Sequence, residues 1–223
     1  MISILLFCSF LSSQGYAESL NRPSNWQPFF SPKVTEKDIR AHGIEHVGTG
    51  SEGDIYGIVA PDGSLESKKT FFATKSIAAT LKRYRLVKAL ADKGVLEPFQ
   101  LLPLKWAKDD SIGLNFIEGR SLKDIVRENP RDPRVRNLYA KYLAGLRRVN
   151  AKMNAAHTPL RPSVSSSSHL ARSCERFLGG KQKGLPLASL YVFGDQGELE
   201  FAIYAENVVV EARSGEMYLV DLY

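Results

Sequence analysis

The sequence predicts an α+β fold in two parts, an antiparallel sheet carrying one helix and then a mainly helical part. Three observations lead there. Short β-prone runs separated by turn residues fill the stretch from Ile44 to Phe116. One amphipathic segment, Ile77–Asp92, interrupts them, and a longer one follows over residues 133–156. The composition supports a folded chain: 223 residues with 43% hydrophobic, 24% charged, 17 Gly, 11 Pro and 2 Cys argue against a disordered, collagen-like or disulfide-framework protein. A net charge of +6 favours anionic partners such as nucleotides, nucleic acid, a membrane surface or an acidic protein, and the charge alone does not choose among them.

Four segments follow from the chain: residues 1–17, 18–40, 41–119 and 120–223. In the first, the uncharged run Ile2–Leu11 leads through small and polar residues to Ala17 and Glu18. This pattern predicts a secretory signal cleaved near Ala17, with a buried terminal helix or a misassigned start codon as alternatives. The run is about half of the roughly 20 apolar residues that a membrane span needs, so no stable transmembrane segment is expected. Export to the periplasm or medium follows, and Cys174 then remains as the single thiol, because Cys8 leaves with the signal. Residues 18–40 are an N-terminal extension without periodicity.

The next segment, 41–119, is the β-rich part. Ile44–Val47, Asp54–Val59 and Thr70–Lys75 read as three strands, the last two joined by the turn-rich Pro61-Asp62-Gly63-Ser64. Ile77–Asp92 is a helix with Leu81, Tyr84, Val87 and Leu90 on one face, stopped at Gly94. Phe99–Trp106 and Ser111–Phe116 are two further strands, turning at Lys108-Asp109-Asp110, so the sheet has five.

In the segment 120–223, Ser121 caps a short helix near 121–129, and Asp132-Pro133 caps the long one. The polar face of that helix carries Arg134, Arg136, Lys141, Arg147, Arg148 and Lys152 without interleaved aromatics, which does not favour nucleic acid. Thr158–Ser168 reads as a loop, residues 169–178 as a helix, and Ala202–Val210 with Met217–Val220 as a hairpin around Arg213-Ser214-Gly215.

The candidate chemistry lies at the ends of these runs. Gly48-Thr49-Gly50-Ser51-Glu52-Gly53 is a G-x-G-x-x-G between two strands, either a plain glycine-rich hairpin or a loop whose backbone amides close over phosphates. Lys75, at the end of the third predicted strand, supplies a cation for phosphate oxygens. Glu118 lies where the last strand of the sheet leads into the capped helix. Asn207 and Asp221, at the two ends of the C-terminal hairpin, are oxygen donors of the kind Mg²⁺ prefers.

In this order the features resemble the protein-kinase-like fold of the aminoglycoside phosphotransferases and eukaryotic-type kinases, in a degenerate, C-terminally short form. The resemblance implies a small lobe of five antiparallel strands plus one helix, and a reduced helical large lobe. It implies ATP bound through Gly48, Gly50, Ser51, Gly53, Lys75 and Glu118, with Mg²⁺ on Asn207 and Asp221. It also marks departures. The general base of the family sits five residues before the metal-binding Asn, and that position is Ala202 here. Asp195 is the candidate substitute, with Glu200 and Glu206 behind it. Residues 76–91 hold no acid to pair with Lys75, so Asp221 is its expected partner. A pseudokinase-type binding module is therefore the expectation. An active phosphotransferase with a non-standard base and an unrelated exported α+β protein are the alternatives. The histidines show no metal-ligand spacing, and no G-x-S-x-G occurs.

Overall fold

A computed structural model of the chain describes residues 32–49, 53–72, 77–156, 159–165 and 187–220. The predicted signal and most of the N-terminal extension, Gly50, Ser51, Lys75, Cys174, the helix near 169–178 and Asp221 lie outside the described residues.

The architecture is α+β, and its largest sheet has five antiparallel strands. A short helix, α1 (Glu36–His42), precedes it. Its capping box is complete: the Thr35 hydroxyl accepts from the Asp38 N–H, and the Asp38 carboxylate accepts from the Thr35 N–H. Then come β1 (Ile44–Thr49), β2 (Gly53–Val59) and β3 (Leu65–Phe71), the helix α2 (Ile77–Asp92), β4 (Phe99–Leu101), β5 (Leu104–Lys108) and β6 (Ser111–Asn115). The sheet order is β1-β2-β3-β6-β5. The β2–β3 turn closes as its residues require. Gly63 takes φ +80°, and the Asp62 carboxylate accepts from the Ser64 N–H.

Pro103, which has no N–H to give a ladder, divides the expected strand Phe99–Trp106 in two. β4 leaves the five-stranded sheet and joins a four-stranded one of order β4-β12-β11-β7, made with β7 (Gly119–Ser121), β11 (Val208–Glu211) and β12 (Met217–Leu219).

The second part departs from the mainly helical expectation. Its described helices are α3 (Leu122–Glu128) and α4 (Pro133–Ala155), and six described strands accompany them. β8 (Arg161–Ser165) falls inside the segment read as a loop, and pairs with β9 (Ser189–Phe193), which pairs with β10 (Leu199–Ile203). The expected run Ala202–Val210 is interrupted by a turn in which the Asn207 N–H donates to Tyr204 O at 3.0 Å, separating β10 from β11. Helix starts follow the caps: Ser121 Oγ accepts from Asp124 N, and Asp132 accepts from Arg134 N with Pro133 next.

The main core lies between α4 and the two smaller sheets. Val135, Leu138, Tyr142, Leu146, Val149 and Met153 pack with Leu190, Val192, Phe201, Ile203 and Met217. A smaller cluster of Phe71, Leu102, Ile112 and Leu114 lies on one face of the five-stranded sheet, with Tyr218 and Val220 packed against it. On the other face Trp106 lies across Gly113, and its indole N–H donates to Glu66 at 2.6 Å. A Cβ at Gly113 would stand 2.2 Å from that indole. Gly113→Ala is therefore expected to destabilise the protein by about 1–3 kcal/mol, read as a lower denaturant midpoint. Among the described residues no helix is long and apolar enough to cross a membrane.

Candidate functional site

The glycine segment sits where β1 meets β2. Gly48 follows a register shift in β1, and Gly53 opens β2 opposite Phe71. A Cβ at Gly53 would come 2.1 Å from Thr70 O, so only glycine allows β2 to approach β3 this closely. Across the base of the segment the Thr49 hydroxyl donates to Asp54 at 2.6 Å. Gly50 and Ser51 fall outside the described residues.

Strand β3 ends at Phe71 and not at Lys75. Lys75, and with it the expected Lys75–Asp221 pair, lies outside the described residues. Within β3 the structure holds a buried cation that sequence reasoning missed, Lys69, at 6% exposure. It pairs in register with Ile55 on β2 and Ile112 on β6, and its Nζ lies 5.2 Å from the Phe71 ring centroid. Strand alternation puts Lys69 on the same face as Phe71, Ile112 and Leu114, the face on which Tyr218 and Val220 pack. The available signal was its period of two with Phe71. The expected third strand began at Thr70, so Lys69 fell outside it, whereas the strand runs Leu65–Phe71.

The hairpin β11–β12 builds the other half. Its register pairs Val208 with Leu219 and Val210 with Met217. One step further out, the Val220 N–H donates to Asn207 O at 3.0 Å. The residue before Asp221 is thus bonded to Asn207, while Asp221 itself is outside the described residues. The first turn of α3 holds the loop that leads to Asn207: the Lys123 N–H donates to Ala205 O at 3.0 Å, and the Lys123 ammonium pairs with the Glu206 carboxylate. Burial pushes the Tyr218 hydroxyl on β12 up to about 12, with the nearby Glu216 adding to the effect.

Ala202, at the position expected for a base, is 1% exposed in β10 and pairs with Tyr191. Phe201 and Ile203 on either side enter the core with α4, so Ala202 and Tyr191 turn to the opposite face of that sheet. Asp195 is exposed in the β9–β10 turn, before β10, whereas the Asn207 turn follows it. A five-residue strand spans about 17 Å, so the structure does not bring Asp195 to Asn207. Glu200 lies on β10, where its backbone carbonyl accepts from the Arg83 guanidinium at 2.9 Å. The Glu118 carboxylate accepts from the Glu36 N–H at the start of α1 at 3.3 Å, and its backbone carbonyl accepts from the Ala212 N–H.

Glu118 thus joins α1 to the segment between the sheets, and Glu206 is already engaged by Lys123. Asn207, Val220 and the Lys69 face of the sheet are brought together; Asp195 stands apart. Among the described residues no three His, Cys, Asp or Glu converge as a metal-binding group. No protein-family model matches the chain, and no curated protein matches it.

Proposed function

We propose that the protein is a kinase-fold, pseudokinase-type module that binds a Mg²⁺-nucleotide without turning it over. The observation that carries this reading is the position of Val220. It packs on the sheet face that bears Lys69 and donates its N–H to Asn207 O, so one residue links the lysine-bearing strand to the hairpin end that carries the proposed donor Asn207. The five-stranded antiparallel sheet with a helix between its third strand and its last two, followed by a capped helix and a long helix, also supports it.

In this reading the backbone amides of Gly48, Gly50, Ser51 and Gly53 close over the phosphates, and Lys69 neutralises their oxygens from below. Lys75 is the second candidate for that role. Asn207 and Asp221 are hard oxygen donors and fit Mg²⁺, which keeps several waters and needs few protein ligands. When bound, the ion supplies positive charge against the phosphate oxygens. Glu118 is the remaining nucleotide-binding candidate, and its carboxylate accepts from the Glu36 N–H. The absence of turnover rests on Ala202, a methyl group where a proton acceptor is required.

Thermal denaturation of the full chain with ATP, with and without Mg²⁺, tests the proposal. A ligand that binds only the folded state adds about 2.7 kcal/mol at a hundredfold excess over Kd. We expect stabilisation by ATP that grows when Mg²⁺ is present. An unchanged melting curve at millimolar nucleotide would return the chain to an exported α+β protein with chance motifs.

We also propose export, on the Ile2–Leu11 run and the small residues before Glu18. Mass spectrometry of the native protein is expected to give a chain starting at Glu18, and a retained Met1–Ala17 would contradict it.

A further inference from the structure

The long helix α4 has no acidic residue between Pro133 and Ala155. Its basic residues fall into two groups. Toward the helix ends, Arg134 pairs with Asp132 at 3.0 Å, the Arg136 guanidinium donates to Pro130 O at 3.3 Å, and Lys152 pairs with Glu97 at 3.1 Å. In the middle, Lys141, Arg147 and Arg148 are exposed, and no described carboxylate pairs with them. The helix packs on α3, β8 and β9 through its apolar side, which leaves this side turned outward. Exposed Ala140, Ala144 and Ala151 lie between the cations at helical spacing and make a shallow floor.

We propose that this outer face of α4 docks an acidic helical segment of a partner protein. Charge complementarity names the partner's sign, since three exposed cations that pair with no described carboxylate repel any basic partner. The alanine floor names its form. Small residues let a second helix lie close along α4, where carboxylates at spacings of three and four reach Lys141, Arg147 and Arg148. A nucleic-acid strand would find no aromatic side chain on this face for base stacking. A bilayer would find no large exposed apolar side chain to insert beside the cations.

The experiment is fluorescence anisotropy of a fluorescein-labelled, alanine-based helical peptide with glutamate at alternating three- and four-residue spacing, titrated with the full chain at low ionic strength. Its glutamine counterpart, a single-stranded oligonucleotide and vesicles of anionic phospholipid are titrated in parallel. We expect the glutamate peptide to bind and the glutamine peptide not to. The triple variant Lys141→Ala/Arg147→Ala/Arg148→Ala should weaken the glutamate peptide about tenfold, the size of three exposed ion pairs together. A variant with the same loss of charge elsewhere, Lys93→Ala/Lys108→Ala/Arg127→Ala, should bind as the wild type does. Equal loss in both variants, equal binding of the glutamine peptide, no binding of the glutamate peptide, or tighter binding of oligonucleotide or vesicles through the α4 residues would each overturn the proposal.

Discussion

Replacing Lys69 by alanine is expected to weaken Mg²⁺-nucleotide binding by about 1–3 kcal/mol, the range for losing a charge-assisted hydrogen bond, which is roughly a 5- to 150-fold rise in Kd. The reason is geometric: the lysine is buried on the face of β3 that meets the hairpin, so its loss leaves bound phosphate oxygens without their cation. Lys69→Met keeps the apolar stem against Ile55 and Ile112 and separates a binding defect from a packing defect. Both variants should lose nucleotide affinity, and Lys69→Met, which keeps the stem, should melt above Lys69→Ala. Lys75→Ala, assayed beside them, decides which lysine serves the phosphates. A larger loss at Lys75 than at Lys69 would move the role back to the end of the predicted strand.

A second large effect is expected in the core that holds β9 and β10 on α4. Tyr142 is fully buried, its hydroxyl donates to Ala188 O at 2.8 Å and lies 3.4 Å from Ile203 O, and Tyr139 accepts from the Ala188 N–H at 3.1 Å. Tyr142→Ala should cost about 3–5 kcal/mol of stability through lost burial and the cavity left behind. Tyr142→Phe leaves the Ala188 carbonyl without its donor and should cost about 1–3 kcal/mol. Both are read from denaturant titrations. Because Ile203 follows Ala202, the same variants loosen the strand that carries Ala202. Burial also raises the Tyr142 hydroxyl far above the ordinary tyrosine range. A raised folded-state pKa means that this contribution is full below about pH 10, where the unfolded tyrosine is still protonated, and is lost as pH rises further. Wild-type stability should therefore fall at alkaline pH more steeply than that of Tyr142→Phe.

Legibility of the fold followed the range of the forces. Helices α2, α3 and α4 were readable because apolar periodicity and caps such as Ser121 and Asp132 are local. α1 was missed, although Thr35 and Asp38 form a full capping box, because a seven-residue helix shows too little periodicity. β8 was missed because Arg161–Ser165 becomes a strand only by pairing with β9, 28 residues on when Arg161 is counted to Ser189. Pairing over that distance leaves no mark in a polar, serine-rich stretch.

The site divides in the same way. The hairpin ends at Asn207 and Val220 were visible from the turn residues Arg213-Ser214-Gly215 between two β-prone runs, and the Val220–Asn207 bond agrees with that reading. Lys69 was not visible, since its burial depends on which face of β3 meets Ile112 and the hairpin. Nor could the sequence show that Glu206 is engaged by Lys123, or that Asp195 and Asn207 lie beyond opposite ends of β10.

Calorimetric titration of the full chain with Mg²⁺-ATP, followed by chromatography of the recovered nucleotide, tests binding without turnover most directly. Saturable binding that Asn207→Ala and Asp221→Ala weaken is expected, with the ATP recovered intact. Absence of binding heat, or ADP in the recovered nucleotide at a rate that Lys69→Met abolishes, would contradict it.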